Sequence, residues 1–179
     1  MAARLDRRKK YTRMVLKDSL MHLLNQKPLS AITVKEICME ADINRSTFYT
    51  HYKDPLDLLH QIEEEIIEEM NKHLTECNFA KEEESLQLTE TLLEYIIEQK
   101  HVCQTLLNQN TGTSFQKRVM IIAKQILMDH AVTEKSDRTD YFITFIISGA
   151  IHVIKDWLNN GTKQSPKEMA ELINLFVNR

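Results

Sequence analysis

The sequence predicts an all-α protein of about nine helices, and three observations lead there. Apolar residues recur at three- and four-residue spacing along most of the chain. Only 3 Gly and 3 Pro among 179 residues leave little punctuation for a sheet-rich fold. Capping signatures stand where several of the periodic runs begin. The length suits one or two small domains.

Charge divides the chain. Residues 1–53 carry 11 Lys or Arg against 5 Asp or Glu, a net of +6, and the totals of 23 and 26 leave −9 for residues 54–179. We therefore read residues 1–53 as a basic head and 54–179 as an acidic helical body. A basic head suits a polyanionic partner, because phosphate neutralisation supplies most non-specific affinity for nucleic acid, while an acidic body discourages docking the wrong way round.

The head reads as three helices. Leu16, Leu20, Leu23 and Leu24 give the first an apolar face ending near Lys27-Pro28. Arg7, Arg8, Lys9, Lys10 and Arg13 precede or open it, either as an arm or as the first turns of the helix. Val34, Ile37, Cys38 and Ala41 fall at i, i+3, i+4 and i+7, and Thr33 with Glu36 forms a capping box at the start of that stripe. The second helix stops at Ala41-Asp42-Ile43, where Asp42 tolerates the left-handed backbone of a sharp turn. Asn44 caps the third helix. Ile43, Phe48 and Tyr52 pack inward, while Arg45, Ser46, Tyr49 and Thr50 point outward as donors and stackers suited to a DNA groove. Asp54 as N-cap, Pro55 at the first helical position and Asp57 at the third open helix four.

Thr33 through Leu59 resembles the DNA-binding domain of the tetracycline-repressor (TetR) family of bacterial regulators. The matching positions are Thr33, Ile37, Cys38, Ala41, Asp42, Thr47, Phe48, Tyr49, His51 and Tyr52. The resemblance implies a three-helix helix-turn-helix domain followed by a helical ligand-binding and dimerisation domain. It implies DNA contacts at Thr33, Asn44, Arg45, Ser46, Thr47, Tyr49, Thr50, His51 and Lys53: Thr33, Tyr49 and His51 on phosphates, Arg45, Ser46 and Thr50 toward base edges. Thr47 is placed against the backbone or a thymine methyl. Two positions depart from the family pattern. Asp42 stands where the family has a turn glycine, and Pro55 where many members hold a phosphate with a lysine; Lys53 is the substitute.

The body continues in amphipathic helices. Helix four, Pro55 to about Leu74, carries Leu58, Leu59, Ile62, Ile66 and Met70 on one face and Glu63, Glu64, Glu65, Glu68 and Glu69 on a face expected to be solvated. Cys77 to Ser85 reads as a loop. A helix bearing Leu88, Leu92, Tyr95 and Ile96 runs to about Gln99, a short one covers His101 to Asn108, and a third runs from about Phe115 to His130 after the break Asn108 to Ser114. Thr139 to Asn160 is the most hydrophobic segment. Its apolar run, Tyr141 to Ile154, is 14 residues long and His152 interrupts it, whereas a span needs about 20, so no membrane crossing is expected. Gly161 caps that helix, and Ser165-Pro166-Lys167-Glu168 opens the last, with Met169, Leu172, Ile173 and Phe176 as its apolar face.

In the resembled family the last two helices form the dimer interface, so a homodimer is implied here. Two heads then meet half-sites about one helical turn apart, roughly 34 Å. In the resembled family a small molecule held among the middle helices tilts helix four and spreads the heads, which releases the operator, so the resemblance implies an effector here. Tyr95, Phe115, Met120, Tyr141, Phe142 and Phe145 are the candidate lining, set against the plainer reading of a helical core. Gly149 to Gly161 is similar to C-terminal segments of a subset of the family from low-GC Gram-positive bacteria, one of which works with a kinase-like protein partner.

Other chemistry finds no support in the sequence. Cys38, Cys77 and Cys103 are widely separated and odd in number, which argues against a disulfide framework or structural zinc site and fits a reducing cytoplasm. His101 and Cys103, two apart, face different sides of a helix. No phosphate-binding glycine loop, nucleophile elbow or helical zinc motif occurs, so no cofactor, metal or catalytic function is expected. MAARLDRRKK lacks an apolar signal core. The reading is a sequence-specific, double-stranded-DNA-binding regulator: a dimeric repressor released by a small-molecule or protein effector. The alternative is a helical ligand-binding or protein-interaction module without regulatory output.

Overall fold

A computed structural model describes residues 2–75, 82–108, 114–130 and 137–177. Among them the chain forms nine α-helices and no strand: α1 (Ala2–Leu24), α2 (Val34–Glu40), α3 (Arg45–Tyr49), α4 (Pro55–Thr75), α5 (Glu82–Glu98), α6 (Lys100–Asn108), α7 (Ser114–His130), α8 (Asp137–Asn159) and α9 (Pro166–Val177), with a 3-10 turn at Leu29–Ala31. Two compact units result, residues 1–66 and 67–179, dividing within α4 after Ile66.

In the first unit the basic run forms the opening turns of α1. Leu16, Leu20, Leu23 and Leu24 are buried together with Ile37, Cys38, Phe48, Tyr52, Leu58, Leu59 and Ile62. Burial of each large apolar side chain contributes ~1.5–3 kcal/mol against the cost of ordering it. Side-chain bonds pin α1 to the α2 region: the His22 ring is 2.6 Å from Glu40, and Lys27 Nζ donates to Glu36 at 2.5 Å. One expectation fails here. Glu63, placed by its spacing on the solvated acidic face, is 1 % exposed. It directly follows Ile62 in the buried stripe, and the close packing of this small unit carries burial past the apolar positions alone.

In the second unit α5 packs along α9, α6 against α7 and α8, and α8 against α7 and α9. Leu88, Leu93, Ile96, Leu106, Leu107, Ile143, Ile147, Trp157, Leu158, Met169 and Ala170 fill its core. Asn159 joins α6 to the end of α8 by accepting from Gln104 and Asn108 at 3.0 and 2.8 Å. Gly161 at φ 86° reverses the chain, letting the Thr162 N–H reach the Trp157 carbonyl at 3.0 Å and the Trp157 indole donate to the Gln164 carbonyl at 3.1 Å. Ser165 and Glu168 form the expected capping box on α9.

Two further expectations are corrected. Helix α5 begins at Glu82, inside the segment expected to be a loop, whose residues 77–81 lie outside the described ones, as do 109–113 of the Asn108–Ser114 break. Helix α8 is longer than its apolar run. Thr139–Asn159 is long and apolar enough by length and composition to cross a membrane, whereas the apolar run Tyr141–Ile154 alone is too short. It nevertheless buries Ile143, Ile147, Trp157 and Leu158 within its unit, and Lys124 of α7 donates to its Asp140 at 2.9 Å.

Candidate nucleic-acid interface

The helix pair α2 and α3 is built by its caps. Thr33 Oγ1 accepts the Glu36 N–H at 3.3 Å, and the Glu36 carboxylate accepts the Thr33 N–H at 3.0 Å and its hydroxyl at 2.8 Å. With Lys27 on its other oxygen, Glu36 is held down to about 2; the Lys27 bond is the main cause and the Thr33 bonds add to it. Asp42, at φ 52°, adopts the left-handed conformation expected at the turn, and the Ile43 N–H closes it by donating to the Cys38 carbonyl at 2.9 Å. Asn44 Oδ1 then accepts the Ser46 N–H at 3.1 Å and caps α3.

These turns sort the candidate residues by availability. Arg45, Tyr49 and Lys53 are exposed on the outer side of α3 and the turn after it. Tyr49 is 58 % exposed, its ring set edge-on at 5.6 Å against the buried Phe48. Ser46, Thr50 and Thr33 carry hydroxyls with internal partners: Ser46 donates to Asn44 at 3.2 Å, Thr50 to the Thr47 carbonyl at 2.6 Å, Thr33 to Glu36. Thr47 is half-buried. His51 is half-buried beside the Tyr52 ring; burial lowers its proton affinity, and the Arg13 and Lys9 cations lower it further. The Lys53 N–H donates to Asp57 at 2.8 Å and the Asp57 N–H to Asp54 at 2.8 Å, so the Pro55 helix start is built by reciprocal caps and leaves the Lys53 ammonium exposed.

Two neighbours went unread in the sequence. Lys35 and Met39, the latter 70 % exposed, line with Asp42, Asn44 and Arg45 a shallow cleft of about 500 Å³ where α2 meets α3. Both lie off the apolar stripe of α2. That position was the only available signal, and it marks solvent exposure without showing that the turn folds the two helices around one cleft. Between α1 and α4, Arg13 donates to Glu65 at 2.7 Å and Lys17 bonds the other oxygen of the same carboxylate.

The six side chains expected to line an effector pocket differ in exposure. Phe115 is buried, Tyr95 and Met120 are half-buried, and Tyr141, Phe142 and Phe145 are 78, 57 and 78 % exposed. Tyr95 sits 5.5 Å from the His73 ring, and burial foremost pushes its hydroxyl up to about 12. Phe145 instead lines a second cleft of about 310 Å³ between α8 and α9, with Ile146, Gly149, Ala150, Val153, Ile173 and Phe176. A Cβ on Gly149 would meet nothing within 4 Å. His101 is exposed and Cys103 buried, as their spacing predicts, and burial pushes the Cys103 thiol up to about 12, which leaves it an inert core group.

Comparison with known proteins follows the same lines. The TetR_C_8 model, described as a transcriptional regulator C-terminal region, matches residues 83–179. An uncharacterised HTH-type transcriptional regulator of Bacillus subtilis, YxbF, is 21 % identical over 168 residues, which is 88 % of this chain; the chain spans 42 % of that relative's length. Among solved structures, a TetR transcriptional regulator from Streptococcus agalactiae aligns over 100 % of both chains at 22 % identity with a TM-score of 0.72. The dihydroxyacetone kinase operon activator DhaS aligns over 93 % of this chain and 94 % of its own at 18 % identity, with a TM-score of 0.56.

Proposed function

The chain belongs to the TetR family of transcriptional regulators, and we propose that residues 33–53 read a double-stranded DNA operator as one half of a dimeric repressor. The capped α2–α3 pair carries the reading: it holds Arg45, Tyr49 and Lys53 outward on a head with a net charge of +6. Arg45 at the start of α3 is placed to take a guanine edge or a phosphate bidentately. Tyr49, His51 and Lys53 serve phosphates. Ser46, Thr50 and Thr33, whose hydroxyls are already spent on caps and on the α3 backbone, contribute mainly by shaping the helix ends. Asn44 and Thr47 act the same way.

The cleft between α8 and α9 supports a homodimer through these helices. Phe145 and Phe176 are largely exposed on it, and Gly149, whose glycine costs a helix interior ~0.5–1 kcal/mol, has no neighbour among the described residues of its own chain that requires the missing Cβ. A second copy at this face accounts for both. An effector, small molecule or protein, then acts by favouring one spacing of the heads over another, which demands unequal affinity for the two states. The protein acts by binding rather than catalysis, in the cytoplasm.

Gel shifts over a salt series with the duplex upstream of its own gene test the reading. Binding weakens steeply with salt, and Arg45→Ala costs ~1–3 kcal/mol and relaxes base preference at one position per half-site. Absence of binding to that duplex at moderate salt would refute it. Transcript levels in a deletion strain give the sign: a rise identifies a repressor, and a fall an activator, as DhaS is.

A further inference from the structure

Asn160 is the only asparagine in the sequence that precedes a glycine, and the pair sits where α8 hands over to α9. Both residues are exposed. The Asn160 N–H still donates to the Asp156 carbonyl at 2.9 Å, whereas the Gly161 N–H has no hydrogen-bond partner among the described residues. The Trp157 carbonyl, its helical partner by position, is taken by the Thr162 N–H at 3.0 Å, because the φ of 86° at Gly161 turns the chain out of the helix. Asn159 provides the contrast. Its side-chain amide accepts from Gln104 and Asn108 at 3.0 and 2.8 Å and donates to Asn108 at 3.0 Å, while the amide of Asn160 has no partner among the described residues.

We propose that Asn160 is a site of spontaneous deamidation in the folded protein, and that its conversion loosens the turn between α8 and α9. Water is the only co-reactant. Hydroxide removes the Gly161 amide proton, the nitrogen bonds to Asn160 Cγ, and the side-chain nitrogen departs as ammonia, leaving a five-membered imide. Ring closure meets little resistance, since glycine brings no Cβ, its nitrogen has no bond to break, and even an added Cβ would find nothing within 4 Å. Water then opens the imide at Cγ to give aspartate, or at the main-chain carbonyl to give isoaspartate, whose backbone runs through the side chain and is one atom longer. Either product sets a carboxylate at the C-terminal end of α8, where the helix dipole opposes negative charge and the last turn has no basic residue. Isoaspartate also lengthens the path between the Trp157 carbonyl and the Thr162 N–H, the bond that closes the turn. Thr162 accepts from Lys100 of α6 at 3.2 Å, so the loosening reaches α6 as well as α9. Its effect on the face offered to a second copy rests on the homodimer reading above; the site itself does not.

The full chain, incubated at a series of mildly alkaline pH values and then digested with trypsin, tests this by mass spectrometry of the peptide Asp156–Lys163. The amide-to-acid mass gain should fall on Asn160, spare Asn159, rise in proportion to hydroxide, and proceed within an order of magnitude of the same peptide free in solution. Asn160→Gln, which would have to close a less favourable six-membered ring, should abolish the gain with thermal unfolding unchanged. A folded chain that keeps Asn160 intact while the free peptide converts, or that loses the Asn159 amide equally fast, would overturn the site. Hydrogen exchange tests the turn, comparing the separated isoaspartyl form with Asn160→Asp, which adds the charge without the extra backbone atom. The Thr162 N–H should exchange several-fold faster in the isoaspartyl form, and equal rates would overturn the loosening. A wild-type chain that deamidates at Asn160 yet sediments only as a monomer would remove the dimer reading and leave the site standing.

Discussion

Truncating Phe145 probes the dimer most directly. Its side chain is 78 % exposed in the isolated chain, so about four-fifths of the ~1.5–3 kcal/mol available from burying a phenylalanine remains to be gained at an interface. A two-fold axis counts each residue twice. Phe145→Ala, which keeps the Cβ, should therefore weaken the dimer by ~2–4 kcal/mol, about 30- to 1,000-fold in dissociation constant. Sedimentation velocity over a dilution series reads this as a shift of the monomer-dimer midpoint. The fold of the subunit should be unaffected, because the side chain faces outward in the chain alone. Tyr141 provides the contrast, being equally exposed at 78 % but absent from the α8–α9 cleft. A wild-type protein that sediments as a monomer, or a Tyr141→Ala variant as damaging as Phe145→Ala, would refute an interface centred on that cleft.

Two other outcomes concern the head. Asp42→Ala should destabilise it by ~1 kcal/mol and Asp42→Gly should be neutral or slightly stabilising, because the φ of 52° costs ~1–2 kcal/mol for an ordinary L-residue and nothing steric for glycine. Equal urea midpoints for the two variants would show that the turn carries no such strain. Acid should loosen the α2 start through Glu36. Its folded pKa of about 2 lies below the ordinary glutamate value of 4.5, so its contribution is complete above 4.5 and is lost as pH falls from about 4.5 toward about 2. Glu36→Gln should flatten the acid limb of a thermal-unfolding profile in that window, and an unchanged limb would count against the capping box as its source.

Much of the molecule was legible without coordinates because the relevant signals are local. A capping box needs only a serine or threonine and a glutamate three apart, and those of Thr33 and Ser165 form as the spacing predicts. Asp42 and Gly161 marked their left-handed turns because few residue types accept that backbone. The leucine spacing of α1 located the core face because helical geometry converts sequence interval directly into angle.

Tertiary packing governed the features that spacing leaves open. Glu63 shares its acidic run with Glu64 and Glu65, yet one is buried, one exposed and one clasped by Arg13 and Lys17. Periodicity assigns a residue to a face; it does not say which neighbouring helix covers that face. The aromatic candidates show the same limit. Phe115 went to the core, while Phe145 went to an open cleft. An apolar side chain has the same hydrophobicity in either place, and only the arrangement of the other helices determines whether its burial is completed within the chain or left for a partner.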